Sequence, residues 1–348
     1  MKSVDYIIVG CGLAGIALCE KLRDKGYSFL VFDDSSQQSS RVAAGLYNPV
    51  ILKRFSEVWQ AKTQLDMSLP VYKKIEQDLN ITIDYKLRLL RKFASVEEQN
   101  MWFNASDIPK LEPFLSTKLV KNDNNFISAP YGFGEVLQAG RLDTKTLISA
   151  YKDVLRANGF LREKRVLYKE LIVKNEIVQY ANIRANHIVF AEGFGVRNNP
   201  FFKYLPINGT KGEVLTIKAP KLKLNAVVKS SVFVIPLGND LYTVGSTYNW
   251  TDKSNTPTTA AKNELLAKLK TLISCNFEVV AHNAGIRPTV KDRRPLVGRH
   301  PKHKNLYILN GLGTRGVMIA PYVAHKLFHY IEKNQPLDAE IDIKRFTS

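Results

Sequence analysis

A glycine pattern near the start constrains this chain more than any other feature. Gly10-Cys11-Gly12-Leu13-Ala14-Gly15 reads G-x-G-x-x-G and lies between a continuous apolar run, Val4 to Val9, and a stretch of helical spacing, Leu13 to Lys25. Gly26 supplies a C-terminal stop, and Tyr27 to Phe32 reads as a second strand ending at Asp33 and Asp34. The spacing predicts a β-α-β unit. Gly10 permits the tight turn, Gly12 lets the backbone approach a pyrophosphate, and Gly15 allows the helix to pack closely. Leu13 and Ala14 open the helix, whose free N–H groups and dipole suit phosphate oxygens. Asp33 is placed to accept ribose hydroxyls, with Asp34 beside it. Strand, helix and acid in register predict dinucleotide binding. The fingerprint serves NAD and FAD alike; a reductase that drew electrons from a nicotinamide to reduce a flavin would need a second one, and the sequence holds a single fingerprint, so the electrons are expected to come from the substrate.

The 348 residues, 45% of them hydrophobic, are enough for two lobes. Fifty Lys and Arg against 32 Asp and Glu leave a formal charge of +18, which favours acidic partners by long-range steering. Because the charges are spread in short runs, a generally cationic surface is the plainer reading and a nucleic-acid partner the lesser one. Cys11, Cys19 and Cys275 show neither a pairing pattern nor metal-ligand spacing, so no metal and a reducing compartment are expected. The apolar stretch from Tyr6 to Leu18 holds the three glycines and lacks a basic leader-type start. No apolar run approaches the roughly 18 residues of a membrane-spanning helix, and the cytoplasm is the expected location.

Further along, Glu57 to Leu79 has helical spacing, with Pro70 expected to kink or break it. Residues 80–135 read as short strands and loops. Asp143 to Asn158 reads as an N-capped amphipathic helix, followed by short strands over 165–192. Gly212 to Tyr248 reads as antiparallel strands turning at Gly238-Asn239-Asp240, and Thr258 to Ser274 as a helix. The chain closes with a strand, Leu306 to Asn310, a glycine turn, and a helix from Val317 to Asn334. This closing unit echoes the opening one, so both ends are expected in one nucleotide-binding lobe. Residues 1–49, 140–205 and 283–348 would form it, and residues 50–139 and 206–282 a substrate lobe.

Several segments recur in a telling order: Ser39 to Gly45 (SSRVAAG), His187 to Gly193 (HIVFAEG), Lys211-Gly212-Glu213, Pro236 to Thr247 (PLGNDLYTVGST), Ala284 to Gly298 (AGIRPTVKDRRPLVG) and Gly311 to Gly316 (GLGTRG). With the N-terminal fingerprint they resemble the glycine oxidase and D-amino acid oxidase superfamily of FAD-dependent amine oxidoreductases, over most of the chain. The resemblance implies an α/β fold in which a Rossmann-type FAD lobe is interleaved with a second lobe on a mixed or antiparallel sheet. It implies FAD as cofactor and hydride transfer from the C–N bond of a small amine or amino acid, with oxygen or another acceptor taking the electrons on.

Residue by residue, the resemblance places Arg41, Ala43, Ala44 and Gly45 beside the flavin and sets Ala191 and Gly193 at the end of a cofactor-binding strand. The backbone of Val166 would meet the adenine. Gly311, Gly313, Thr314, Arg315, Gly316 and Val317 would bring the final helix's N-terminus to the flavin's pyrimidine edge. Arg287, in G-I-R-P, would hold the substrate carboxylate, a task that suits a planar two-pronged guanidinium. No general base stands out; Asp292 and the histidines read as structural. Relatives that bind flavin covalently carry a Cys in the segment that Arg287 occupies, and none lies there, so the FAD should be non-covalent.

Two departures put glycine itself in doubt. Phe233 stands where glycine oxidases have a substrate-facing Tyr, and Thr314 where they have an Arg; Tyr248 and Arg315 are the candidates to substitute. Tyr248 and the GLGTRG turn are also similar to the FAD domain of a bifunctional tRNA 5-methylaminomethyl-2-thiouridine biosynthesis enzyme. That resemblance implies the alternative of a wobble uridine whose carboxymethyl group is removed oxidatively. The segment Lys291, Arg293, Arg294, Arg299, Lys302 and Lys304, with His300 and His303, is the expected phosphate-facing surface for it.

Overall fold

The computed structural model describes residues 2–174 and 177–346. Among them run seven α-helices: α1 Leu13–Asp24, α2 Ser39–Val42, α3 Ala61–Leu79, α4 Val96–Ser106, α5 Thr144–Ala157, α6 Thr259–Lys270 and α7 Gly316–Lys333.

The opening β-α-β unit forms as the glycine pattern predicts. Lys2–Val9 pairs in parallel with Phe29–Phe32 on one side and Ile183–Phe190 on the other. Tyr6 and Ile8 point into a core shared with α1 and α7, while Ile7 and Val9 point into a second core on the opposite face. Both faces are therefore covered, which is why the run is apolar without alternation. Ile183–Phe190 forks. Its first half meets Val178–Tyr180 antiparallel, and its second half runs parallel to Leu306–Asn310. The final strand and α7 thus return to the sheet that the first residues began, and α7 packs beside α1.

The second large sheet runs in the order Glu278–Arg287, Thr210–Lys218, Leu241–Gly245, Phe233–Gly238, Val227–Lys229, Leu89–Lys92, Phe133–Val136 and Leu115–Val120. Val227–Lys229 and Leu89–Lys92 pair in parallel, which makes the sheet mixed. Its strands alternate between two faces. Val228, Val234 and Val244 pack with Leu265 and Leu269 of α6, while Val227 and Ile235 join the core reached by α1 and α7. The chain leaves the first sheet for the second and returns to it twice, so neither lobe is a continuous stretch.

Four local expectations are corrected. Residues 80–135 hold α4 as well as strands; Ser95 caps it by accepting from the Glu98 N–H at 3.3 Å. The helix expected from Glu57 starts at Ala61, because Gln60 adopts the left-handed region (φ 51°) and Ser56–Glu57 pairs with Val50–Ile51. Pro70 does not break the helix: α3 continues to Leu79. The segment from Glu278 to Arg299, read only as motifs, supplies two strands, Glu278–Arg287 and Leu296–Arg299.

The final helix also contains a proline. Pro321 has no N–H, so the Val317 carbonyl one turn earlier loses its helical donor. The hydroxyl of Tyr72 on α3 fills that place, donating to Val317 O at 2.7 Å in a buried contact. The first turn of α7 is held by a side chain from the neighbouring helix.

Candidate functional site

A single cavity of about 590 Å³ runs from the end of the first sheet to the face of the second. At the first sheet, Gly10 adopts φ +105°, and a side chain there would collide with the carbonyl of Ala191 on the neighbouring strand. Glycine is what lets the turn pass between two strands. The Asp33 carboxylate closes this end. It accepts from the Cys11 N–H at 2.6 Å, the Ser35 N–H at 2.8 Å and the Lys152 ammonium at 2.6 Å. Lys152 belongs to α5, which Asp143 caps by accepting from Thr146 N–H. Burial and the Asp33 charge push the Cys11 thiol up to about 12, so it stays protonated.

Gly12, Leu13, Ala14, Asp34, Val166, Ala191 and Gly193 line the same cavity. Gly15 does not reach it: a side chain there would strike the Gly10 carbonyl, so its role is packing α1 onto the turn. Gly311 is likewise outside the lining, pressed against Val290 and Leu296. Glu192, between two predicted positions, was missed. It accepts from Tyr168 Oη at 2.5 Å and Asn199 Nδ2 at 2.8 Å. Burial raises its carboxyl to about 7 against the pull of those two donors.

Arg41, Ala43, Ala44 and Gly45 line the middle of the cavity together with Gly313, Thr314, Arg315, Gly316 and Val317. The N-cap residues of α1 and α7, Gly12 and Arg315, make no side-chain capping bond; Ser40 Oγ accepts from the Leu13 N–H at 3.4 Å, and both helices turn the positive ends of their dipoles to the cavity.

The three residues singled out for chemistry converge at the second sheet. Arg287 ends the edge strand Glu278–Arg287, and its guanidinium lies over Gly212, where any side chain would displace it. It donates to Ser246 Oγ at 2.9 Å and Thr247 O at 3.2 Å, and sits 4.5 Å from the centre of the Tyr248 ring. Arg315 donates to Asn48 O at 3.2 Å. Neither guanidinium has a carboxylate partner among the described residues. Burial lowers Arg287 below its ordinary value and brings Arg315 down to about 10; Tyr248 opposes both shifts, and Arg293 adds to the second. Two half-buried cations with no carboxylate partner among the described residues mark a place suited to an anion.

Tyr248, in the lining, is 59% exposed, so the cavity opens to solvent at this rim. The rim is nonetheless anchored. The fully buried Lys211 ammonium reaches Asp252 Oδ2 and Thr256 O at 2.5 Å each, and Glu213 at 3.4 Å. Lys211 and Asn249 also exchange backbone hydrogen bonds, and Glu213 holds Thr258 through its N–H and hydroxyl.

The basic segment after Arg287 is not one free surface. Arg294 pairs with Glu340 and stacks on Trp59, and burial beside His303 drops His300 to about 4, uncharged at neutral pH. Lys152 had a legible signal, a Lys on the apolar stripe of α5 beside Ile148, Tyr151 and Leu155. Lys229, also in the lining, had none, since the face it shares depends on strand pairing.

A glycine-turn cradle in one lobe and a cationic sheet face in the other, joined by one cavity, define a two-lobed dinucleotide-dependent oxidoreductase. A profile of the FAD dependent oxidoreductase family, DAO, matches residues 5–329. The chain belongs to that family. It is 21% identical over 349 residues to glycine oxidase of Bacillus subtilis (strain 168), covering 92% of this chain and 90% of that one. Over 176 residues it is 27% identical to the tRNA 5-methylaminomethyl-2-thiouridine biosynthesis bifunctional protein of Azoarcus sp. (strain BH72), covering 44% of this chain and 28% of that protein. The fold matches the crystal structure of glycine oxidase from Geobacillus kaustophilus with a TM-score of 0.80 at 18% identity, covering 99% and 98% of the two chains. The two helix N-termini, the Gly10 turn and the cavity that joins them to the second sheet fit the family's FAD. No helix among the described residues is long and apolar enough to cross a membrane.

Proposed function

We propose that this FAD-dependent oxidoreductase oxidises the C–N bond of a small amino acid, glycine or an N-substituted glycine. The observation that carries the reading is Arg287, a guanidinium without a carboxylate partner at the sheet-side end of the cofactor cavity. Its fork suits the α-carboxylate, and the backbone and hydroxyl contacts from Thr247 and Ser246 fix the plane of that fork. The Tyr248 ring covers one side of the guanidinium and keeps water from it. Phe233 offers an apolar wall and no hydroxyl, so the carboxylate rests on the guanidinium.

Bound FAD supplies an electron-poor ring that accepts the substrate's α-hydrogen with its electron pair. The protein's part is to orient that hydrogen and to deliver the amine neutral. No carboxylate or imidazole is hydrogen-bonded to Arg287, so a general base is not part of the proposal. Arg287 and Arg315 disfavour a third cation, which lowers the pKa of the substrate ammonium and releases its proton through the open rim. None of the cysteines lies near Arg287; Cys11 meets the cavity at the Asp33 end, which supports a non-covalent cofactor.

The second reading, a carboxymethylaminomethyl uridine of tRNA, is favoured by the exposed Tyr248 ring at the mouth of the cavity, a surface that suits a nucleobase. It keeps the same chemistry, since that group is itself an N-substituted glycine. Anaerobic bleaching of the flavin by free amino acids, N-substituted glycines and modified tRNA at near-physiological salt separates the two. Reduction by small carboxylate amines supports the first reading, and reduction by the tRNA alone the second. Arg287→Ala is expected to keep the flavin spectrum and to lose about 2 to 5 kcal/mol in substrate capture. Wild-type turnover by this variant would remove Arg287 from the mechanism.

A further inference from the structure

The sheet face beneath the substrate side is a row of directly opposed residues. Lys229 pairs with Phe233, Phe233 with Gly245, and Gly245 with Val214. Opposed residues share a face, and Lys229, Phe233 and Val214 all line the cavity. Two residues along the Val214 strand, on the same face, Gly212 lies under the Arg287 guanidinium. With strands about 4.8 Å apart, three steps set the Lys229 and Val214 backbones roughly 14 Å apart. The floor therefore has a cation at each end and an apolar ring between them.

The two ends are alike in one further respect. The Lys229 ammonium makes no hydrogen bond or ion pair among the described residues, and lies 5.8 Å from the centre of the Phe233 ring. Its charged neighbours are already committed, Arg91 to Glu98 at 2.6 Å and Lys268 to Glu264 at 2.5 Å. Burial, then the repulsion of Arg91 and Lys268, bring it down to about 8. An ammonium held in such a place at a cost, facing a cavity, is an incomplete ion pair.

We infer that Lys229 is a second anion anchor, which reads an acidic group at the far end of the substrate whose carboxylate Arg287 holds. This rests on the assignment of Arg287 above and narrows the substrate class: an N-substituted glycine whose substituent ends in a carboxylate or phosphate-type anion. A neutral N-alkyl group would reach Phe233 and leave the ammonium unpaired.

The test uses thioether analogues, whose sulfur replaces the oxidisable amine: (hexylsulfanyl)acetate, its ω-carboxylate and its ω-phosphonate. Calorimetry on the FAD-loaded protein and the flavin's spectral shift give two independent affinities. The wild type should bind at least one acid-tailed ligand about tenfold or more tighter than the neutral one, and the stronger of the two tails identifies the anion. That ratio should fall to about one in Lys229→Met and persist in Lys229→Arg. Because the reading is a ratio within each protein, a general loss of stability does not imitate it. A wild-type ratio near one for both tails, or a ratio that survives Lys229→Met, overturns the inference. Arg287→Ala should weaken all three ligands alike. If it weakens none, the Arg287 assignment fails on its own, whatever the ratio shows.

Discussion

At the scale of single residues, Gly212 controls the anion site without touching substrate. A side chain there would occupy the space of the Arg287 guanidinium, the mobile end of a long side chain rather than backbone. Gly212→Ala is therefore expected to fold and hold FAD, yet bind carboxylates on the order of tenfold or more weakly because Arg287 swings away. Ligand titration beside a flavin spectrum checks it, and undiminished carboxylate affinity would sink it. Glu192 carries a pH signature. Its folded value of about 7 lies above its ordinary 4.5, so the folded state binds this proton more tightly than the unfolded chain. The stabilisation this gives is full below about 4.5 and is lost as pH rises through about 7. Glu192→Gln, which keeps the neutral shape, should gain in thermal midpoint relative to wild type across that window; curves that stay parallel from pH 4 to 8 would refute it. Of these residues only Arg287 was legible in the sequence, through its motif. Gly212 was visible as a motif letter, but its reason lies on another strand.

Among elements, α7 depends on α3. Tyr72 replaces the N–H that Pro321 cannot give, so Tyr72→Phe leaves the buried Val317 carbonyl unpaired. The expected cost is about 1 to 3 kcal/mol, with weaker FAD binding because Val317 lines the cavity. Pro321→Ala restores the backbone donor, so the double variant should recover most of the loss, a coupling that a thermodynamic cycle measures directly. Additive losses would show that the hydroxyl is not doing the proline's missing job. Helices α1, α5 and α7 were legible because periodicity agreed with a signal at the start of each, a glycine turn before α1 and α7 and the Asp143 cap before α5. The S-x-x-E start of α4 was equally present at Ser95 and Glu98, but the polar residues around it read as loop. The strand Glu278–Arg287 alternates only loosely, since Glu278, Val280 and Asn283 are exposed while Ala284 to Ile286 are buried, and neither period dominates.

For the whole molecule, the twice-crossing chain makes the lobes inseparable. One core holds Tyr6 and Leu309 of the first sheet together with Trp102, Val227 and Ile235 of the second lobe. Unfolding followed by tryptophan fluorescence and by flavin release should give one coincident transition in the holoprotein. A well-separated first phase that frees flavin while the environment of Trp102 persists would show that the lobes unfold independently. Interleaving was legible from the echo between the first and last β-α units. The pairing that joins Lys229 to Phe233, and so to the rest of the floor, was not, because strand neighbours far apart in sequence leave no local trace. The buried Lys211 has a consequence for traffic. It stakes the rim segment to the floor strand through one carboxylate, Asp252, and one carbonyl, Thr256, so the doorway of the cavity is built as a fixed frame. Encounter with substrate should then slow in proportion to solvent viscosity, as diffusion does, with no flap setting an internal clock.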